Sequence, residues 1–183
     1  DLYRKIKWLI FFRGLFAGVL LGSVIIATLR PDTDMLLLGL PLLSLHGVAG
    51  GLLLFSLVYA LLLPRIRRLE LFAYVQTVID TGFVTLIIFI TGSFASIFSF
   101  LYLLVIIYST MVIYRRGGMI LATFCSIEYG VLIDLEFFEL IRPPGLGAGD
   151  LAFSHDWTYV IYKLVITIGA CYGVAFLSGF LSE

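Results

Sequence analysis

Charge is what this sequence has least of. Only 13% of its 183 residues are Asp, Glu, Lys or Arg, against about 25% in a water-soluble domain. A soluble body of this size needs polar side chains to cover its surface, so the composition excludes one. The twelve basic and twelve acidic residues cancel to a formal net charge of zero, which leaves no footprint for nucleic acid. Cysteine is nearly missing too. Cys125 and Cys171 both sit within apolar runs, where reduced thiols act as small buried hydrophobes. Nothing in their placement argues for a disulfide, and no zinc spacing exists. The apolar runs do not alternate with polar residues, which excludes a membrane β-barrel. There is no Walker loop, no G-x-S-x-G, no H-E-x-x-H and no intramembrane Ser–His pair.

What is present is apolar. Hydrophobic residues make up 61% of the chain, and the mean hydropathy is +1.11. A helix needs about 20 apolar residues to cross the hydrocarbon core. Six segments qualify: residues 8–29, 36–63, 72–91, 94–114, 118–140 and 157–181. The fold expected over 1–183 is therefore an all-α integral membrane protein, a six-transmembrane-helix bundle. The first run is not followed by a small-residue cleavage site and reads as a span, not a signal peptide. Pro41 falls near the start of the second run, where a missing N–H is tolerated.

Cations set the orientation. Arg4, Lys5, Lys7, Arg65, Arg67, Arg68, Arg115 and Arg116 fall at one set of junctions, and only Arg30 and Arg142 at the other. The bias is eight to two, so the first set is expected in the cytoplasm, with both termini. Asp32, Asp34, Asp150 and Asp156 stand at the outer junctions, and Trp8 and Trp157 mark the two interfaces. The one long outer connection, Arg142 to Asp156, is rich in Gly and Pro and reads as a flexible cap. No soluble catalytic domain fits between the spans.

Several residues do not belong in lipid, where a charge costs about 2.5–3.5 kcal/mol on insertion scales. Arg13 lies in the first span, Asp80 in the third and Glu128 in the fifth. Their depths are compatible, so Arg13 could pair with Asp80 or Glu128. Such a pair either fixes helix register or belongs to a proton or ion path. Asp134, Glu136 and Glu139 end the fifth span, and Lys163 enters the sixth at matching depth. Lys163 either snorkels to the interface or, the favoured reading, pairs with Asp134 or Glu136. His46 in the second span reads as a packing residue, since His155 lies far off in the outer connection; a metal or haem site is not expected. Gly14, Gly18 and Gly22 recur every four residues in the first span, and Gly169 and Gly173 do so in the sixth. That spacing allows close helix approach, either within the chain or across a dimer seam.

One stretch carries a family resemblance. "TLIIFITGSFASIFSFLYLLVIIYSTMVIYRRGGMILA" resembles the membrane region of bacterial sensor histidine kinases of the PilS kind, which are related to NtrB-like kinases. The matching marks are Thr91 and Gly92 in the small polar turn, Ser96, Phe98 and Tyr102 opening the fourth span, and Arg115 and Arg116 closing it. The basic, aromatic start "RKIKWLIFFRGLFAGVLL" and the acid at Asp80 fit as well. Ser93 departs from the pattern, because a second glycine usually stands there. The resemblance implies a multi-pass sensor in the bacterial inner membrane, acting as a homodimer. It also implies a cytoplasmic kinase beyond Glu183 that uses ATP and Mg to phosphorylate a transcriptional response regulator. The full-length protein would then be a protein-histidine kinase, while this chain holds no catalytic, cofactor or metal site. Family members monitor pilin and control type IV pilus genes. With no outer domain expected, the signal would arrive within the bilayer as lipid, pilin or another transmembrane helix. Phe98, Tyr102 and Tyr108, with Phe100, form the aromatic face expected to meet it. The alternative reading is a small transporter or membrane enzyme using Arg13, Asp80 and Glu128.

Overall fold

The computed structural model describes residues 2–28, 35–66, 68–141 and 157–181. Arg30, Asp32, Asp34, Arg67, Arg142, Asp150, His155 and Asp156 fall outside the described residues. Every long element is an α-helix, as continuous apolar runs require in lipid, where each backbone N–H and C=O must be paired internally. The order is α1 (Leu2–Thr28), α2 (Met35–Leu62), a 3₁₀ turn (Leu63–Arg65) that carries Pro64, and α3 (Leu69–Ile90). Two 3₁₀ turns follow, Ser93–Ala95 and Ile97–Phe100, and then a helical stretch, Leu101–Phe137. The last helix is Trp157–Leu181.

Leu101–Phe137 is not one rod. Tyr114 breaks it, with φ 65° and ψ −179°. A continuous helix would hold Tyr102 and Tyr129 about 40 Å apart, yet their ring centroids are 6.2 Å apart. The chain therefore doubles back at Tyr114, and the two arms are α4 (101–113) and α5 (115–137); Trp157–Leu181 is α6. Gly118 sits so close to Thr110 that a Cβ would collide with it. With the 3₁₀ turn before it, α4 measures about 28 Å, close to the hydrocarbon thickness.

Two compact units form, 1–72 and 73–183. In the first, α1 and α2 pack antiparallel. Ser56 of α2 donates to the Ile10 carbonyl at 3.2 Å, and the small face at Gly14 admits that contact, its Cβ position lying 3.5 Å from Ser56 Oγ. In the second, α3, α4, α5 and α6 surround a core that includes Ile87, Ile88, Ile106, Ala122 and Cys171.

The distribution of side chains is inverted relative to a soluble protein. Trp8, Phe11, Leu15 and Val19 follow one another along an outward face of α1, and Leu54, Leu57, Val58 and Leu61 do so on α2. Arg13, Ser56, Gln76, Thr77, Asp80, Thr81, Ser109 and Thr110 are buried. An apolar exterior around a polar interior matches a lipid solvent. Four helices among the described residues are long and apolar enough to cross a membrane, and one of these is the stretch that folds back at Tyr114.

Candidate functional site

In the first unit Arg13 is buried, with its guanidinium carbon 5.0 Å from the centre of the Tyr59 ring. The ring's negative face attracts the cation. Phe72 closes edge-on upon the same ring, at 5.5 Å. His46 is half-buried on α2.

The second unit holds a polar seam along α3. Gln76, Thr77, Asp80, Thr81 and Thr85 recur at helical spacing, so they share one side of the helix. The Tyr108 hydroxyl of α4 donates to Asp80 Oδ2 at 2.8 Å. Deeper along the seam Glu128 of α5 reaches α3. Thr81 lies 3.2 Å from its Oε1, and Thr85 lies 2.8 Å from its Oε2. The Tyr102 hydroxyl of α4 stands 2.6 Å from Thr85 Oγ1. Three helices thus meet at one carboxylate through hydroxyl groups.

Tyr102 is fully buried. It does not lie on a face open to a partner, because its hydroxyl is drawn inward to Thr85. Phe98 and Tyr108 are half-buried, and of the expected aromatic face Phe100 alone is largely exposed.

A second polar constellation closes the opposite end of the unit from Tyr114. Residues 91–96 join α3 to α4 without forming an α-helix. Gly92 adopts φ 107° and Ser93 φ 41°, and Gly92, Ser93, Phe94 and Ser96 are buried. Non-helical backbone at membrane depth persists only where protein groups satisfy it. Here they do. The Phe94 N–H donates to Glu136 Oε2 at 3.2 Å, and Lys163 donates to the Phe94 carbonyl. The Lys163 ammonium also sits 4.5 Å from the Phe94 ring centre. Thr91 and Ser96 hydroxyls pair at 2.6 Å across the turn. Glu136 and Lys163 therefore converge on one residue, each serving the backbone group that its charge suits. Asp134 and Glu139 are exposed.

At the Tyr114 end the hairpin grips the last turns of α6. Thr110 donates to Ser178 at 2.8 Å, the Arg115 guanidinium lies 5.0 Å from the Phe176 ring centre, and the Arg115 stem presses on Gly179.

The other glycines behave differently. Among the described residues nothing stands within 4 Å of a Cβ built on Gly18, Gly22, Gly169 or Gly173, which leaves space at these positions. Among the described residues no group of three or more His, Cys, Asp and Glu converges as a metal site would.

The sequence reading singled out the charged residues and missed their partners. Thr81, Thr85, Thr110, Ser178 and Phe94 complete the constellations. The signal for the threonines was present: Thr77, Thr81 and Thr85 repeat every four residues beside Asp80. Phe94 offers its backbone, which no side-chain pattern announces.

The family model described as the PilS-like transmembrane domain matches residues 1–183, the whole chain. No curated protein matches the sequence, and no solved structure does.

Proposed function

The chain belongs to the PilS-like transmembrane domain family, and on that premise we propose that it is the membrane input domain of a bacterial two-component sensor histidine kinase. The observation that carries this reading is the family match across all six helices. In this reading the domain sits in the inner membrane with both termini in the cytoplasm and pairs with a second copy. The signal reaches it within the bilayer, as a lipid, a pilin or another transmembrane helix. α6 passes the response to a kinase that binds ATP and Mg and phosphorylates a transcriptional response regulator. The structure supports α6 in that role because it is held at both ends, by Phe94 through Lys163 and by the Tyr114 hairpin through Thr110 and Arg115. A helix held at two points between bistable packings can carry a small shift in position.

The test is phosphorylation of the full-length gene product in proteoliposomes with labelled ATP. Phosphohistidine should form outside residues 1–183, and its rate should change when Thr110→Val loosens α6 within the membrane domain. A product without kinase sequence, or a phosphorylation rate indifferent to every α6 contact, would overturn the reading.

A further inference from the structure

The hydroxyls around Glu128 have more acceptors than hydrogens. Thr85 Oγ1 lies 2.8 Å from Glu128 Oε2 and also 2.8 Å from the Thr81 carbonyl. Thr81 Oγ1 lies 3.2 Å from Glu128 Oε1 and 2.7 Å from the Val78 carbonyl. Each hydroxyl has one hydrogen to give, so both threonines must choose between the carboxylate and the backbone of their own helix.

Two arrangements satisfy the geometry. With Glu128 ionised, Thr85 and Thr81 donate to its two oxygens, and Tyr102 donates to Thr85. With Glu128 protonated, its Oε2–H donates to Thr85 Oγ1. Thr85 then turns its hydrogen to the Thr81 carbonyl, Thr81 turns to the Val78 carbonyl, and Tyr102 still donates to Thr85. No heavy atom need move far for either. Among the described residues of this unit no cation pairs with Glu128, and an uncompensated charge at membrane depth is costly.

We propose that Glu128 is a proton-binding site, and that its occupancy re-aims Thr81 and Thr85 between the carboxylate and the α3 backbone. One proton passes from hydronium to Oε2, an O–H bond of the hydronium breaking as the carboxyl O–H forms and water leaving, and the domain gains one unit of positive charge. The ionised form ties α5 to α3 by two donors on one carboxylate, and the neutral form ties it by one. The joint among α3, α4 and α5 therefore depends on the proton. The titratable groups around the site are Tyr102 of α4, Cys125 and Tyr129 on the same helix as Glu128, and Cys171 of α6. Asp80 of α3 precedes Thr81 and takes the Tyr108 hydroxyl, and Lys163 of α6 is engaged at Phe94. The inference stands on this geometry and does not depend on the sensor reading.

Infrared difference spectra of the whole chain in lipid nanodiscs, recorded across the pH range in which it stays folded, test it. The expected result is a protonated-carboxyl C=O band that grows as pH falls and is lost in Glu128→Gln. Glu128→Asp should displace the band without deleting it, which guards against a variant that misfolds. Thr85→Val should shift both the band's frequency and its titration midpoint. A wild-type minus Glu128→Gln difference that does not vary with pH, whether the band is always present or always missing, overturns the proposal. A band and midpoint unmoved by Thr85→Val overturn it as well, since the threonine would then not be the proton's partner.

Discussion

The backbone N–H of Phe94 lies 3.2 Å from the carboxylate of Glu136. That contact lets the chain turn between α3 and α4 inside a bilayer-spanning fold. A buried N–H left without an acceptor costs about 1–3 kcal/mol. Glu136→Gln keeps an acceptor oxygen and should change stability little. Glu136→Leu removes it and should cost about 1–3 kcal/mol. Lys163→Met should cost a similar amount by stranding the Phe94 carbonyl. Thermal unfolding in nanodiscs measures all three. If Gln and Leu at position 136 behave alike, the contact contributes nothing.

Ser93 occupies a left-handed conformation, φ 41°, next to Gly92 at φ 107°. A side chain there carries strain of order 1 kcal/mol or more. The Ser93 hydroxyl is also buried with no hydrogen-bond partner among the described residues. Ser93→Gly should therefore raise the unfolding temperature, by a gain of about 1 kcal/mol. A lowered unfolding temperature would show that the hydroxyl is satisfied and the turn relaxed.

How legible all this was in the sequence depended on what kind of group did the work. The helices could be read because lipid demands long apolar runs, and Leu101–Phe137 could be divided because Arg115, Arg116, Gly117 and Gly118 interrupt it. Glu128 and Asp80 stood out as charges in an apolar background. Their actual contacts, Thr81, Thr85 and Tyr108, were hidden because threonine and tyrosine are unremarkable in a membrane helix. Lys163 was expected beside Asp134 or Glu136; it converges with Glu136 on Phe94, through main-chain atoms common to every residue. Tyr102 looked like part of an outward aromatic face, but one hydroxyl at the right depth turned it inward.

The open space around Gly18 separates fold stability from self-association. With none of the described residues within 4 Å of its Cβ position, Gly18→Leu should alter the unfolding free energy by no more than about 0.5 kcal/mol. If the glycine face of α1 seats a second copy, the same variant should reduce crosslinking between chains. Strong destabilisation of the isolated chain would contradict the open position.

Orientation has its own measurement. A cysteine replacing Leu69, at the start of α3 beside Arg68, should react with an impermeant maleimide only from the cytoplasmic side, as the cation bias requires. Labelling of intact cells from outside would reverse the topology.

Gly179 is where α6 comes closest to the hairpin. A Cβ there would lie 2.7 Å from Arg115 Cγ, 3.2 Å from its Cβ and 3.4 Å from its Cα. Rotating the arginine clears the first of these contacts but not the last, because the last is backbone. Gly179→Ala should therefore push the final turns of α6 away from Arg115 and weaken the Thr110–Ser178 hydrogen bond one residue before it. The overpacking should cost about 1–3 kcal/mol. Arg115→Ala removes the Cγ while leaving the helix intact, so Gly179→Ala combined with Arg115→Ala should recover part of the loss. The sign of that coupling is what matters. A steric origin makes the double variant more stable than the sum of the singles predicts, which a double-mutant cycle of thermal unfolding reads directly. Additive losses would mean that Arg115 acts only through Phe176 and that α6 is not held at Gly179.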